Sequence, residues 1–190
     1  NYILYRRIVC KHMKIIHLIK TTQGATWALK QVEQLINLGC EVHVILPDDK
    51  GLTKEYSEKG AKIHIINTDF AFLIKRPALF FDTIKKFRTL LQEISPDIVH
   101  SHFVGTTLFM RIAMKGLKIK KIFQVPGPLH LEKGFTRALD LKLADKYDYW
   151  IPTCYFSENI YLHSGISKDR LMTTFYGTDT STYHKKNSGI

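Results

Sequence analysis

The chain has 190 residues, 45% hydrophobic and 24% charged, which excludes wholesale disorder and collagen-like structure and fits about one domain with its own core. Lysine and arginine outnumber aspartate and glutamate by 28 to 17; the net charge of +11 points to an anionic partner, whether nucleic acid, a phosphorylated substrate or an acidic lipid surface. Cys10, Cys40 and Cys154 lie far apart and form no CxxC, which argues against a disulfide framework or zinc knuckle and for a reducing compartment.

Residues 1–12 precede Met13 and carry Arg6, Arg7 and Lys11. The apolar stretch after Met13 is broken at His17 and is too short for a signal sequence. We expect 1–12 to be an N-terminal extension and the domain to start at Met13. No apolar run approaches the ~20 residues of a membrane span.

Residues 14–19 read as a buried strand, followed by a turn-rich Thr21-Thr22-Gln23-Gly24. Residues 25–38 are helical, with Ala28, Val32, Leu35 and Ile36 on one face and Gly39 as the stop. Strand 41–46, a short helix 52–59 and strand 62–66 follow. Residues 70–76 are expected as a loop. Residues 77–94 form a longer helix with Phe80, Ile84, Phe87, Leu91 and Ile94 on one face. Strand 98–101, helix 104–115, strand 121–125, helix 135–146, strand 149–152, helix 156–163 and strand 171–175 complete the chain. The alternation, with apolar rather than alternating strands, predicts an α/β, Rossmann-like, doubly wound and mostly parallel sheet.

Ligands of such a sheet sit beyond the carboxyl ends of its strands. After the first strand, Thr22, Gly24 and Thr26 lead into a helix N-terminus that favours an anion; the same residues also read as a plain capped turn. There is no GxGxxG and no GxxxxGK[ST], which counts against dinucleotide and P-loop chemistry. His100 and His102 share a strand direction, without a third metal ligand in sequence reach. His100 reads as a packed strand histidine. His102 reads as facing the cleft, to orient a hydroxyl or accept a proton. His17, His43 and His64 read as satisfied core histidines. Pro126-Gly127-Pro128 stiffens the loop after the fifth strand, from which His130 and Glu132 are expected to project. The segment 70–76, with Phe70, Phe72, Lys75 and Arg76, is the best candidate for touching anionic lipid.

Taken in order, several segments resemble the N-terminal half of a family-four, GT-B-type glycosyltransferase. Met13-Lys14-Ile15-Ile16-His17-Leu18 resembles its opening strand, and Gln23-Gly24-Ala25-Thr26 stands where members have Gly-Gly-x-Glu. Gly39-Cys40-Glu41-Val42-His43-Val44 resembles G-H-E-V-x-V, and Pro96-Asp97-Ile98-Val99-His100-Ser101-His102 is close to P-D-V-V-H-A-H. Tyr176-Gly177-Thr178-Asp179 is close to N-G-V-D. The second glycine and the glutamate of the first loop are missing. Val125-Pro126-Gly127 stands where many members have a histidine, whose role is then absent or moved to His130.

The resemblance implies that 13–176 is one Rossmann-like half of a GT-B fold and that 177–190 begins a linker to a C-terminal donor-binding domain. It implies retaining transfer from a nucleotide-sugar donor to a saccharide or lipid-linked acceptor, in surface polysaccharide or glycolipid synthesis, with the 190 residues inactive alone. Thr22, Gly24, Thr26, Gly127, His130 and Glu132 would bind the acceptor side, and His102 would position the acceptor or act as base. Gly177 and Asp179 would line the interdomain cleft. No metal or cofactor is implied, and no nucleic acid. The expected location is cytoplasmic and peripheral on the inner membrane face. The rival is a non-catalytic basic domain that binds nucleic acid or another anionic polymer, which the charge alone would fit.

Overall fold

The computed structural model describes residues 13–175 and 177; residues 1–12 and Asp179, which carried expectations above, lie outside them. Six strands form one parallel sheet. They are β1 (Lys14–Leu18), β2 (Glu41–Leu46), β3 (Lys62–Ile65), β4 (Ile98–Ser101), β5 (Lys120–Val125) and β6 (Asp148–Pro152), in the order β3-β2-β1-β4-β5-β6. The order reverses between β1 and β4, so the loops leaving these two strands flank the crevice where a doubly wound sheet takes its ligand.

Apart from edge strand β3, whose residues stay at least partly exposed, the strands are apolar and largely buried. Ile15 of β1 and Ile19 just after it pack with Ala28, Val32, Val42, Val44, Leu46 and Tyr56, beneath α1 (Thr26–Asn37) and α2 (Thr53–Glu58). The opposite face, Ile16, Leu18 and Val99, packs on Phe87, Leu91 and Ile94 of α4 (Pro77–Ile94) and on Phe109, Met110 and Ala113 of α5 (Val104–Ala113). Alternate residues of one strand therefore serve two cores. A third cluster joins Phe123, Val125 and Trp150 to Leu131 of α6 (Leu129–Glu132) and Tyr161 of α8 (Tyr155–His163), with Leu141 of α7 (Gly134–Leu143) packed against it.

Three elements differ from the sequence reading; the expected loop after β5 carries the one-turn α6, on which His130 and Glu132 lie. Residues 70–76 open with a one-turn helix, α3 (Phe70–Leu73), because the Asp69 carboxylate accepts from the Ala71 N–H and caps it. The expected seventh strand is reduced to one bridge, Trp150 to Leu171, although Met172 and Thr174 donate to the Trp150 and Pro152 carbonyls.

Charges buried between α5, α7 and β6 stitch this half together. The Arg111 guanidinium is 2% exposed; its Nε donates to Asp148 Oδ1 at 2.6 Å, and it also pairs with the Asp140 carboxylate. Tyr161 donates to Asp140 Oδ2 at 2.7 Å. Burial alone would raise the Asp140 carboxyl, but Arg111 and the hydrogen bonds of His130 and Tyr161 hold it down at about 2.

Candidate functional site

Around the β1/β4 switch the structure brings some expected residues to the surface and closes others off. Gly24, at φ +74°, and Thr26 are exposed at the start of α1, whose N-cap, Ala25, has no side-chain oxygen to offer. The first N–H groups of α1 therefore receive no side-chain cap, the kind of helix start that suits an anion. Thr22 is corrected: it is 4% exposed, its hydroxyl donates to Asp48 Oδ1 at 2.9 Å, and its carbonyl accepts from Leu52 N. It braces the loop after β2. Gly51 is fixed there by the same contact, since a Cβ on it would lie 2.2 Å from the Thr22 carbonyl oxygen.

His102 is also corrected. It is fully buried, not open to a cleft. Its Nε2 shares a hydrogen bond of 2.8 Å with Nδ1 of His17, a residue 85 positions away. The ring centres of His17 and His102 are 5.1 Å apart and nearly parallel at 17°. A nitrogen gap of 2.8 Å within that separation means that the rings meet end to end in one plane. His100, the register partner of His17, stacks on His102 with centres 4.4 Å apart. Burial holds the His17 imidazole neutral, pushed down to about 3, and burial with the neighbouring imidazoles pushes His100 and His102 well below their usual range.

One nitrogen from each ring can be chosen so that all three lie within 4.8 Å, a donor set a transition metal could use. As the rings stand, two of them form a hydrogen-bonded pair. Nitrogens sharing a tetrahedral zinc sit about 3.3 Å apart, and ligating histidines donate their other N–H to an acceptor. The nitrogens His17 Nε2, His100 Nε2 and His102 Nδ1 have no hydrogen-bond partner among the described residues. His17 and His100 are thus only partly satisfied. His43 does meet the expectation, bonded to His64 Nε2 at 2.9 Å and to Glu41 at 2.9 Å.

His130 does not project from its loop. It is 8% exposed, with Nε2 3.0 Å from the Tyr161 hydroxyl. That hydroxyl already donates to Asp140, so His130 Nε2 carries the proton and donates. Glu132 is exposed and Gly127 half-buried.

Sequence reasoning missed Trp27 and Gln124. The Trp27 ring stands edge-on to His102, centres 4.9 Å apart, and roofs the imidazole cluster. Beside it runs a groove of about 290 Å³ lined by Trp27, Gln31, Gln34, Gln124, Phe175 and Gly177. Gly177 and Trp27 thus line the same groove. A larger cavity, about 700 Å³, lies along edge strand β3 and α4, away from the switch.

The sequence profile of the family described as Glycosyltransferase Family 4 matches residues 24–182. No curated protein matches the chain. Among solved structures, HepE from Anabaena in complex with UDP and glucose superposes with a TM-score of 0.67 at 16% identity, over 93% of this chain and 48% of that one. A glycosyltransferase from Rickettsia africae gives 0.65 at 16%, over 90% and 44%. The lipopolysaccharide outer core galactosyltransferase WaaB, apo form, gives 0.60 at 19%, over 93% and 50%. At these identities the likeness is one of fold, and the chain spans about half the length of the structures it matches.

Proposed function

The chain belongs to glycosyltransferase family 4, and on that premise we propose that it forms the acceptor-facing half of a retaining enzyme that moves a sugar from a nucleotide-sugar donor to a saccharide or lipid-linked acceptor. The observation that carries this reading is the crevice at the β1/β4 switch, where the open start of α1 and the Trp27 groove lie side by side. In the transfer, the bond from the anomeric carbon to the leaving phosphate oxygen breaks and a bond to the acceptor oxygen forms on the same face. The acceptor's proton goes to the departing phosphate. His102, closed off under Trp27, acts by positioning Trp27 and not as a base. HepE was solved with UDP and with UDP-glucose, which supports a nucleotide sugar as donor here.

The test is incubation with radiolabelled nucleotide sugars and lipid extract. We expect no turnover by the 190 residues alone and turnover once a donor-binding half from a family member is joined after them. Turnover by the chain alone would overturn the division of labour. Failure of the joined protein, together with tight binding of duplex DNA, would favour the rival basic domain.

The acceptor reading carries a membrane partner with it, at the inner face and in surface polysaccharide or glycolipid synthesis. Ile74, Leu79 and Phe81 are exposed around the α3–α4 junction beside exposed Lys75 and Arg76, and the Arg76 guanidinium lies 4.1 Å over the Phe72 ring. No helix among the described residues is long and apolar enough to cross a membrane. Surface binding of this kind is screened over about 8 Å at physiological salt. We expect co-sedimentation with acidic liposomes at low salt that falls sharply at high salt; equal binding to neutral vesicles would remove the electrostatic contribution.

A further inference from the structure

The geometry points to a sugar-ring subsite in the groove between α1 and β5, with Trp27 as its aromatic wall and the side-chain amides of Gln31 and Gln124 as its hydroxyl ligands. This assignment rests on the acceptor reading above and gives it a place and a chemistry.

Gln124 sits two residues beyond Ile122, the register partner of His100, so its side chain rises from the same sheet face as the imidazole cluster. It is only 6% exposed, yet its Oε1 has no hydrogen-bond partner among the described residues. The Oε1 of Gln31, on the facing helix, is buried and unpartnered in the same way. Both residues line one groove. A buried amide oxygen without a donor carries a desolvation cost that a native protein rarely leaves uncompensated.

The missing group must supply hydrogen-bond donors to two amides that line the same groove. A hydroxyl meets that need, because it donates and accepts, while an amide can turn either its oxygen or its NH₂ toward it. Several hydroxyls on one compact ring meet it twice.

The rest of the lining adds polar Lys30, Gln34 and Thr174 to the aromatic wall. Trp27 presents an indole, and the apolar C–H face of a sugar ring packs against such a surface. The indole is held in orientation by its edge contact to His102, itself tied to His17. At about 290 Å³ the groove falls just below the range of about 300–1,000 Å³ for drug-sized ligands, the scale of one sugar ring and not of a whole nucleotide sugar. Phe175 and Gly177 close its far side, and Gly177 lies in the segment that resembles the family's N-G-V-D. A sugar held here would touch both the first helix and the start of that segment.

The experiment titrates the 190-residue chain with a panel of methyl glycosides. It reads Trp fluorescence and the side-chain amide resonances of Gln31 and Gln124. We expect at least one glycoside to shift both amides and to change the fluorescence of wild type but not of Trp27→Phe. Gln124→Leu, close in volume, should weaken binding about tenfold with the thermal midpoint kept, and Trp27→Ala by a similar factor. Gln92→Leu, on exposed α4, should bind as wild type. Glycosides that bind Gln124→Leu and Trp27→Ala as tightly as wild type, with both amides unmoved, would overturn the subsite. So would a wild-type chain that no glycoside perturbs. In either case, sugar transfer by the joined protein would leave the proposed function standing, whereas absence of transfer alongside intact glycoside binding would sink the function and keep the subsite.

Discussion

Replacing Arg111 with methionine is expected to lower the unfolding free energy by about 3–5 kcal/mol, the scale of breaking a buried ion pair from one side. The guanidinium is the cation that Asp140 and Asp148 share, and it lies 5.2 Å from the Trp150 ring centre. Methionine fills much of the volume but leaves the Asp140 carboxylate, which is fully buried, without its counter-charge. Lys121 partly relieves Asp148, from 3.2 Å, and also holds Asp145 at 2.6 Å. The loss should therefore fall mainly on Asp140, and adding Asp140→Asn to the variant should recover part of it. Urea denaturation of the three proteins decides this. A loss below about 1 kcal/mol for Arg111→Met, on the scale of an exposed pair, would mean that water reaches this network.

Acidification from pH 7 to 5.5 should cost about 4 kcal/mol through the three imidazoles at the switch. An unfolded histidine titrates near 6.5. In the folded chain His17 is pushed down to about 3, and His100 and His102 lie well below the usual value. Between these limits the unfolded chain takes up protons that the folded chain refuses. The stabilisation is therefore present above about pH 6.5 and drains away as pH falls. Each imidazole contributes a slope of up to about 1.4 kcal/mol per pH unit. Besides burial, the influences acting on these rings are their mutual repulsions, so surface charge does not offset the trend. Against total stabilities of about 5–15 kcal/mol, that loss should lower the thermal midpoint markedly in mild acid. Thermal midpoints measured between pH 7.5 and 5 test this. A midpoint that stays flat to pH 5.5 would show that the imidazoles are protonated, or hydrated, in the folded state.

The amino-acid sequence alone determined the architecture. Apolar strands at Lys14–Leu18, Glu41–Leu46 and Ile98–Ser101, each followed by a turn and a helix-period segment, required a parallel sheet covered on both faces, and the structure has it. Those signals are local, because periodicity and turn chemistry are carried by residues a few positions apart. The same locality explains the exposed Gly24 and Thr26, which follow directly from the end of a strand and the start of a helix. It also explains the errors. Asp69 capping Ala71 is a two-residue event easily lost beside the aromatic run that follows it. His102 stood past a strand end and looked open, but what covers it is Trp27 from α1 and what binds it is His17 from β1. His130 looked free on a rigid loop until α8 brought Tyr161 against it. Trp27, Gln31 and Gln124 show no pattern along the chain, and they share a groove only because the sheet order places β5 beside β4 and α1 across the same face. Burial and partnership between residues tens of positions apart depend on how crossovers stack the layers, so the sequence determined which elements form, and only the tertiary packing decided which of their side chains meet and which remain open to a ligand.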